Sequence, residues 1–254
     1  MHWQDEAIVL STRRHGETSA VVHVLTCRNG RHAGLVRGGA GRRLKGVLQP
    51  GNELGVEWRG RLPDQLGTFA VELKSARAAF LLEDPLALAG LAAAAAMAEL
   101  VLPEREAHGP VYHGFIALLD AMAAGQDWPA VYVRWELGLL AELGFGLDLA
   151  ACAATGATSD LSHVSPRTGR AVSAAAAAPY AGRLMRLPAF LAAGRGVSTD
   201  PDPVRDFLDG LALTGFFLER HVLAPDGRRM PLARHRLVER MSRSATKSGV
   251  KAAS

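Results

Sequence analysis

The sequence predicts an α+β chain of two parts, a small N-terminal β-barrel followed by an all-α domain, and three observations carry that prediction. Up to about residue 80, apolar residues alternate with period 2 between turn signals. From Asp84-Pro85 onward the period lengthens to that of helices. Between Asp148 and Ala178 a Gly-, Ser-, Thr- and Ala-rich insert shows weak periodicity and reads as loop or short strands. The expected organisation is therefore a barrel over 1–80, a helical domain over 81–242 with an insert at 148–178, and a disordered tail over 243–254.

Taken in order, Ala7-Ile8-Val9-Leu10 is the first apolar run, ended by Arg13, Arg14, His15 and Gly16. Ala20 to Leu25 is the second, closed by Asn29-Gly30, a hairpin signal that tolerates positive φ. Arg31 to Arg37 makes a third strand. Leu54, Val56 and Trp58 alternate with Gly55, Glu57 and Arg59, and Phe69, Val71 and Leu73 alternate with Ala70, Glu72 and Lys74. Five short strands without a helix-length segment between them favour a small closed barrel over a parallel sheet, with an OB-type barrel as the leading candidate. Asp84-Pro85 then supplies an N-cap and a proline at the first helical position, and a helix runs through Leu102. A second helix has Val111, Phe115, Leu118, Leu119 and Met122 on one face, and a third places Val131, Trp135, Leu139 and Leu143 at i+4 steps. Asp202-Pro203 opens another, striped by Val204, Phe207, Leu208, Leu211, Leu218 and Val222, and Pro231 leads into a last basic helix. Beyond Met241 the Ser, Ala and Lys composition has nothing to bury.

Composition narrows the function classes. Of 254 residues 48% are apolar and 21% charged, an ordinary globular balance. With only Cys27 and Cys152, neither a disulfide framework nor a four-cysteine zinc site forms within the chain, and a reducing cytoplasm fits best. Met1 to Glu6 lacks the basic and apolar regions of a signal peptide, and the Ala-rich stretch from Leu86 to Leu102 is too short to span a bilayer, so no membrane or export role is expected. The net charge of +4 is unevenly spread: residues 1–80 hold twelve Lys/Arg against seven Asp/Glu, whereas residues 81–240 hold fourteen against eighteen. Cationic surface attracts a polyanion without reading its sequence, so the first segment favours such a partner.

The densest basic feature is Arg28, Arg31, Arg37, Arg42, Arg43 and Lys45, six cations with no acid between them, around Gly38-Gly39-Ala40-Gly41. It reads either as a loop that follows a phosphate backbone beside the barrel, with Arg13 and Arg14 on another turn, or as a solvated, flexible connection. Trp58 and Phe69 fall on the apolar alternating faces and read as core, so nucleic-acid binding would lean on charge. Cys152-Ala153-Ala154-Thr155-Gly156 has the spacing at which a zinc ribbon carries Cys-x-x-Cys, but Thr155 is no thiolate, and with His163 as the nearest imidazole no metal is expected. No catalytic residue is expected either. Ser165-Pro166 and Ser198-Thr199 lack a nucleophile elbow, His108 and His113 are five apart, and Asp202, Asp206 and Asp209 serve a helix start. No cofactor is implied. On the third helix Arg134 beside Trp135 forms either a groove for an acidic peptide ending in an aromatic residue or a core Trp next to a solvated Arg.

In sequence order these residues resemble the RecO family of DNA repair proteins over most of the chain, to about residue 240. Ala7-Ile8-Val9-Leu10 with Arg13 and Gly16-Glu17-Thr18-Ser19 is similar to the family's opening strand and turn. The most specific block, Val36 to Lys45 followed by Gly46-Val47-Leu48-Gln49-Pro50, resembles its basic Gly-rich segment. Arg134-Trp135-Glu136-Leu137, Leu143-Gly144-Phe145-Gly146-Leu147, Cys152 and Met230 to Leu237 resemble its later motifs.

The resemblance implies an N-terminal OB-fold, a helical C-terminal domain and a non-enzymatic role: binding single- and double-stranded DNA, annealing complementary strands and, with RecR, loading RecA onto strands covered by single-strand-binding protein (SSB). On that footing Arg37, Arg42, Arg43 and Lys45, with Arg13 a weaker addition, are expected to contact DNA. Arg134 and Trp135 are expected to receive the SSB C-terminal tail, which is acidic with an apolar end. A cytoplasmic, nucleoid-associated location follows. Some members carry a four-cysteine zinc module where this chain keeps only Cys152, so the insert is expected to be zinc-ribbon-like but metal-free. The competing reading is an RNA-binding OB protein of RNA processing or translation, in which the same patch prefers strands bearing 2′-hydroxyls.

Overall fold

The computed structural model describes residues 1–62, 65–180, 182–192 and 202–251. Ser198 and Thr199 lie outside the described residues. Five strands, β1 (His2–His15), β2 (Ser19–Thr26), β3 (Gly30–Val36), β4 (Glu53–Arg59) and β5 (Thr68–Ser75), close into a barrel in the order β1-β2-β3-β5-β4. All neighbours are antiparallel except β3 and β5, which meet in parallel at Leu35 and Thr68, where Leu35 N–H donates to the Gly67 carbonyl at 3.1 Å. This is the five-stranded arrangement of an OB-fold.

Strand β1 is longer than its apolar run. It pairs with β4 over His2–Ile8 and with β2 over Ala7–His15, and its register shifts between Val9 and Ser11. The bend at that irregularity lets one strand serve two neighbours, which barrel closure requires. Ala7, Val9, Val22 and Val24 fill the interior with Leu54, Val56, Trp58 and Phe69, the last four as their alternation predicts, whereas Val71 is half-buried and Leu73, at the end of the same stripe, is exposed. The β2–β3 turn is anchored by Asp5, whose carboxylate accepts from Arg28 N–H (2.8 Å), Asn29 N–H (3.1 Å) and Asn29 Nδ2 (2.8 Å). Burial alone would raise the Asp5 pKa, but these donors outweigh it and hold the group below the ordinary carboxylate value.

Gly30, with φ of 65°, closes that turn, and a Cβ there would stand 1.8 Å from the Glu106 carbonyl oxygen. Neither the left-handed backbone nor the close approach suits another residue. Gly30→Ala is therefore expected to cost at least about 2 kcal/mol, read as a lowered urea midpoint with the slope unchanged.

Short helices α1 (Arg42–Lys45) and α2 (Arg77–Phe80) flank β4 and β5, and α3 (Pro85–Val101) and α4 (Gly109–Ala123) follow. Asp84 caps α3 by accepting from the N–H groups of Leu86 (2.9 Å) and Ala87 (3.0 Å), as the Asp-Pro pair predicts. Val111, Phe115, Leu118, Leu119 and Met122 are all buried on α4. The chain forms two compact units, the first comprising 1–126 with 231–234 and the second 127–230 with 235–254. Compactness thus groups α3 and α4 with the barrel, although the periodicity changes at Asp84.

In the second unit α5 (Trp128–Glu142) is followed by a small sheet of β6 (Leu161–Val164), β7 (Ala171–Ser173) and β8 (Met185–Arg186), in the order β7-β6-β8, with α6 (Ala174–Ala177) after β7. Then come α7 (Pro203–Phe217) and α8 (Leu232–Lys251). The buried side of α5 is wider than its i+4 stripe, taking in Tyr132, Val133, Glu136 and Leu140, while Val131 is half-buried. Helix α8 runs past Met241, where composition predicts disorder. Among the described residues no helix is long and apolar enough to cross a membrane.

Candidate nucleic-acid interface

The run of six cations does not stay together in space, because β3 carries it from one end of the barrel to the other. At the start of β3, Arg28 Nε donates to Asp5 at 3.2 Å and Arg31 Nη1 to Glu104 at 3.0 Å, so both charges are offset. Past Val36, the side chains of Arg37, Arg42, Arg43 and Lys45 are exposed, and among the described residues none has an acidic partner. The four free cations therefore share one end of the barrel.

A packed turn displays them. Helix α1 is a single turn whose Leu44 packs on the barrel interior together with Val47, and Leu48, 2% exposed, continues that face. Arg42, Arg43 and Lys45 are left on its outer side. Asn52, fully buried, fastens the segment by donating Nδ2 to the carbonyls of Gly46 (2.9 Å) and Val47 (3.0 Å) and accepting from Ala78 N–H (3.0 Å). Such bracing holds the turn in place without help from any ligand. The segment is thus an ordered, helical turn, and its cations are solvent-exposed.

The β1–β2 hairpin joins the same end. Arg14 pairs across to Ala20, Ala20 to Val36, and Ala40 N–H donates to the Thr18 carbonyl at 3.0 Å, so the hairpin tip abuts the glycine segment. Thr12 Oγ1 also donates to the Leu48 carbonyl at 2.7 Å. Arg13 is exposed but leans 3.5 Å from Glu99 Oε1, and Arg14 folds onto the carbonyls of Gly16 and Glu17. Arg13 accordingly offers less free charge than the four cations beyond β3.

In the second unit, Trp135 is 4% exposed and packs beside Tyr132. Arg134 is exposed; its Nη2 donates to the Phe190 carbonyl at 2.7 Å and its guanidinium lies 5.7 Å over the Phe190 ring. The aromatic partner of Arg134 is therefore Phe190 rather than Trp135. Phe190 also borders a small cleft of about 120 Å³ lined by Pro129, Ala130, Val204 and Phe207.

Cys152 is buried, and its sulfur accepts from the Ser173 N–H (3.3 Å) and hydroxyl (3.5 Å). The Ser173 hydroxyl, then that of Thr155, pull its thiol below the ordinary value. Among the described residues no group of three or more His, Cys, Asp or Glu side chains gathers to hold a metal ion.

One cluster escapes the sequence pattern. At the end of the barrel opposite the free cations, Trp3 stacks on Trp58 (5.9 Å, 16° between planes), and His32 stands edge-on to both at 5.1 Å. Trp3 lies outside every apolar run. Its only sequence signal is the aromatic residue at a β1 position that pairs with Trp58.

A model described as recombination protein O N terminal matches residues 1–77, and one described as recombination protein O C terminal matches residues 82–230. A protein of Rhodospirillum centenum named DNA repair protein RecO is 50% identical over 252 residues, 98% of each chain. Those of the same name from Rhodospirillum rubrum and Phenylobacterium zucineum are each 50% identical, over 248 residues (96% of this chain, 97% of the relative) and 242 residues (95% and 98%). A closed five-stranded barrel followed by a helical part, matched in both halves and along nearly the whole length of such relatives, places this chain in the RecO family of recombination proteins.

Proposed function

We propose that this protein is a non-catalytic DNA-binding mediator of recombinational repair, in which the barrel captures single- or double-stranded DNA and holds complementary strands for annealing. It works in the cytoplasm at the nucleoid, with RecR, to place RecA on SSB-covered strands. The observation that carries the DNA-binding part is the set of four exposed cations without acidic partners on a braced turn at one barrel end. The names of the relatives support the repair context. Charge at that end attracts phosphates whatever the base sequence, so the interface suits a mediator that must act anywhere on a genome.

Fluorescence anisotropy of a labelled single-stranded oligomer across several salt concentrations, with a matched RNA oligomer and a series containing SSB, tests this reading. The expected result is binding to DNA that falls steeply with salt and persists on SSB-covered strands. Preference for the RNA oligomer would favour the RNA-processing reading, and absence of binding to free DNA at low salt would overturn DNA capture.

For the SSB tail, Arg134 and the neighbouring Phe190 cleft are the proposed landing place. The guanidinium receives the acidic residues and the cleft the apolar end, while Trp135 holds the helix from inside. Arg134→Ala is expected to weaken binding of an acidic peptide with an apolar end about tenfold, measured by calorimetry.

A further inference from the structure

The end of the barrel opposite the free cations carries a cavity of about 470 Å³ lined by His2, Trp3, Asn29, His32, Trp58 and Arg105. We propose that this cavity is a second nucleic-acid subsite, which takes one unpaired base of a single strand against Trp3. The proposal rests on the DNA-binding reading but assigns the base to residues distinct from the cationic turn.

Four observations converge on a planar, hydrogen-bonding ligand. The first is the aromatic wall: Trp3 is half-buried and stacked on Trp58, so its orientation is fixed and its remaining surface lines the cavity. Trp58 is itself clamped, because a Cβ at Gly60 or at Gly67 would come within 2.4 Å of its ring and its Nε1 donates to the Leu66 carbonyl at 3.0 Å. Aromatic surface of this kind stacks with any base.

The second is an acceptor in the wall. His32 is 3% exposed, and its Nδ1 lies 2.9 Å from the Ala33 carbonyl, which can only accept. Nδ1 therefore carries the proton, leaving Nε2 as an acceptor, and among the described residues Nε2 has no hydrogen-bond partner. A base with an imino or amino N–H satisfies it, as an aliphatic ligand does not.

The third is strain. Arg105 sits at φ 63°, a left-handed conformation that a non-glycine residue avoids, and its N–H donates to the Arg31 carbonyl at 2.8 Å. Glu104, before it, bridges to Arg31. Backbone held this way persists where the surroundings fix it, and here it brings Arg105 to the cavity wall. The fourth is charge. Arg61, exposed and without an acidic partner among the described residues, follows Gly60, and of the carboxylates in this region Glu104 is engaged by Arg31 and Glu57 by Arg59 and His2. Cations beside an aromatic cavity suit a base with its phosphates, and a second subsite gives one chain a hold on two strands.

The test uses the emission of the unmodified protein. Trp58, Trp128 and Trp135 are 1%, 6% and 4% exposed, so Trp3 is the indole that a ligand reaches. An oligothymidylate and an abasic oligomer of the same length are titrated in parallel, with anisotropy of an end label reporting binding. The expected result is that both bind but only the oligothymidylate quenches tryptophan emission, and that Trp3→Ala weakens the oligothymidylate about tenfold while leaving the abasic strand unchanged. Trp3→Phe is expected to restore most of the difference. Should Trp3→Ala fail to fold, the quenching comparison on the unmodified protein still decides. Equal quenching by the two strands, no quenching by a bound oligothymidylate, or quenching only by an acidic peptide ending in Phe overturns the subsite. Loss of binding by both strands overturns DNA capture as well, whereas failure of the subsite alone leaves anisotropy intact.

Discussion

Replacing Arg42, Arg43 and Lys45 together by alanine is expected to weaken DNA binding uniformly across sequences and to lower the log-log salt slope on single strands by about 2, at roughly 0.7 per phosphate contact. The three side chains project from one helical turn, are exposed, and have no acidic partner among the described residues, so their charge is available to phosphates and their removal leaves no carboxylate unpaired. Leu44 and Leu48, which seat the turn on the barrel, are untouched, and alanine favours the helix. Thermal stability should therefore change by less than about 0.5 kcal/mol. Anisotropy titrations from low to moderate salt measure the slope, and a melting curve checks the fold. An unchanged slope would remove these three residues from the interface. An Arg28→Ala control should leave the slope nearly intact, since that guanidinium is committed to Asp5 and the Gln4 carbonyl.

The contrast between Arg28 and Arg42 shows what the sequence carries and what it withholds. Alternation and capping are local, so the five strands, the Asp84 cap and the buried face of α4 were all legible, as was the core placement of Trp58 and Phe69. The length of β1 was not, because its first residues are held by pairing to β4, some fifty positions away, rather than by their own pattern. The same holds for the cations. Six of them read as one cluster along the chain, yet β3 leaves Arg28 and Arg31 at its start, beside Asp5 and Glu104, and carries the rest to its far end. Ion pairing between residues far apart in sequence leaves no periodic trace.

Aromatic residues repeat the lesson. Trp135 sits at helical spacing with Leu139, which marks it as core, and burial agrees. That Arg134 stands over Phe190 follows from the chain returning more than fifty residues later, which no local spacing encodes. Trp3 and His32 lie on β1 and β3, which are not neighbours in the barrel, so their shared cavity appears only once the barrel closes.

Glu136→Leu is expected to cost about 3 kcal/mol of stability, since hydrogen bonds to a charged acceptor are worth about 1.5 to 3 kcal/mol each. Glu136 is fully buried on α5, where its carboxylate accepts from the Tyr132 hydroxyl at 3.0 Å, one turn earlier, and from the Thr214 hydroxyl on α7. Leucine is larger by about one methylene and branched, so part of the cost is repacking and the rest falls on the donors. Thr214 retains a partner in the Gly210 carbonyl at 3.1 Å, whereas Tyr132, also fully buried, loses the hydroxyl contact shown here. Glu136→Gln should recover much of the loss, because its amide oxygen accepts from one hydroxyl while its amide nitrogen donates to the other. Chemical denaturation of the three proteins measures the ladder. Equal stability of the Leu and Gln variants would mean that Glu136 acts by filling space, and a Leu variant as stable as the parent would mean that the α5–α7 contact is held by its apolar neighbours Phe207 and Leu211 alone.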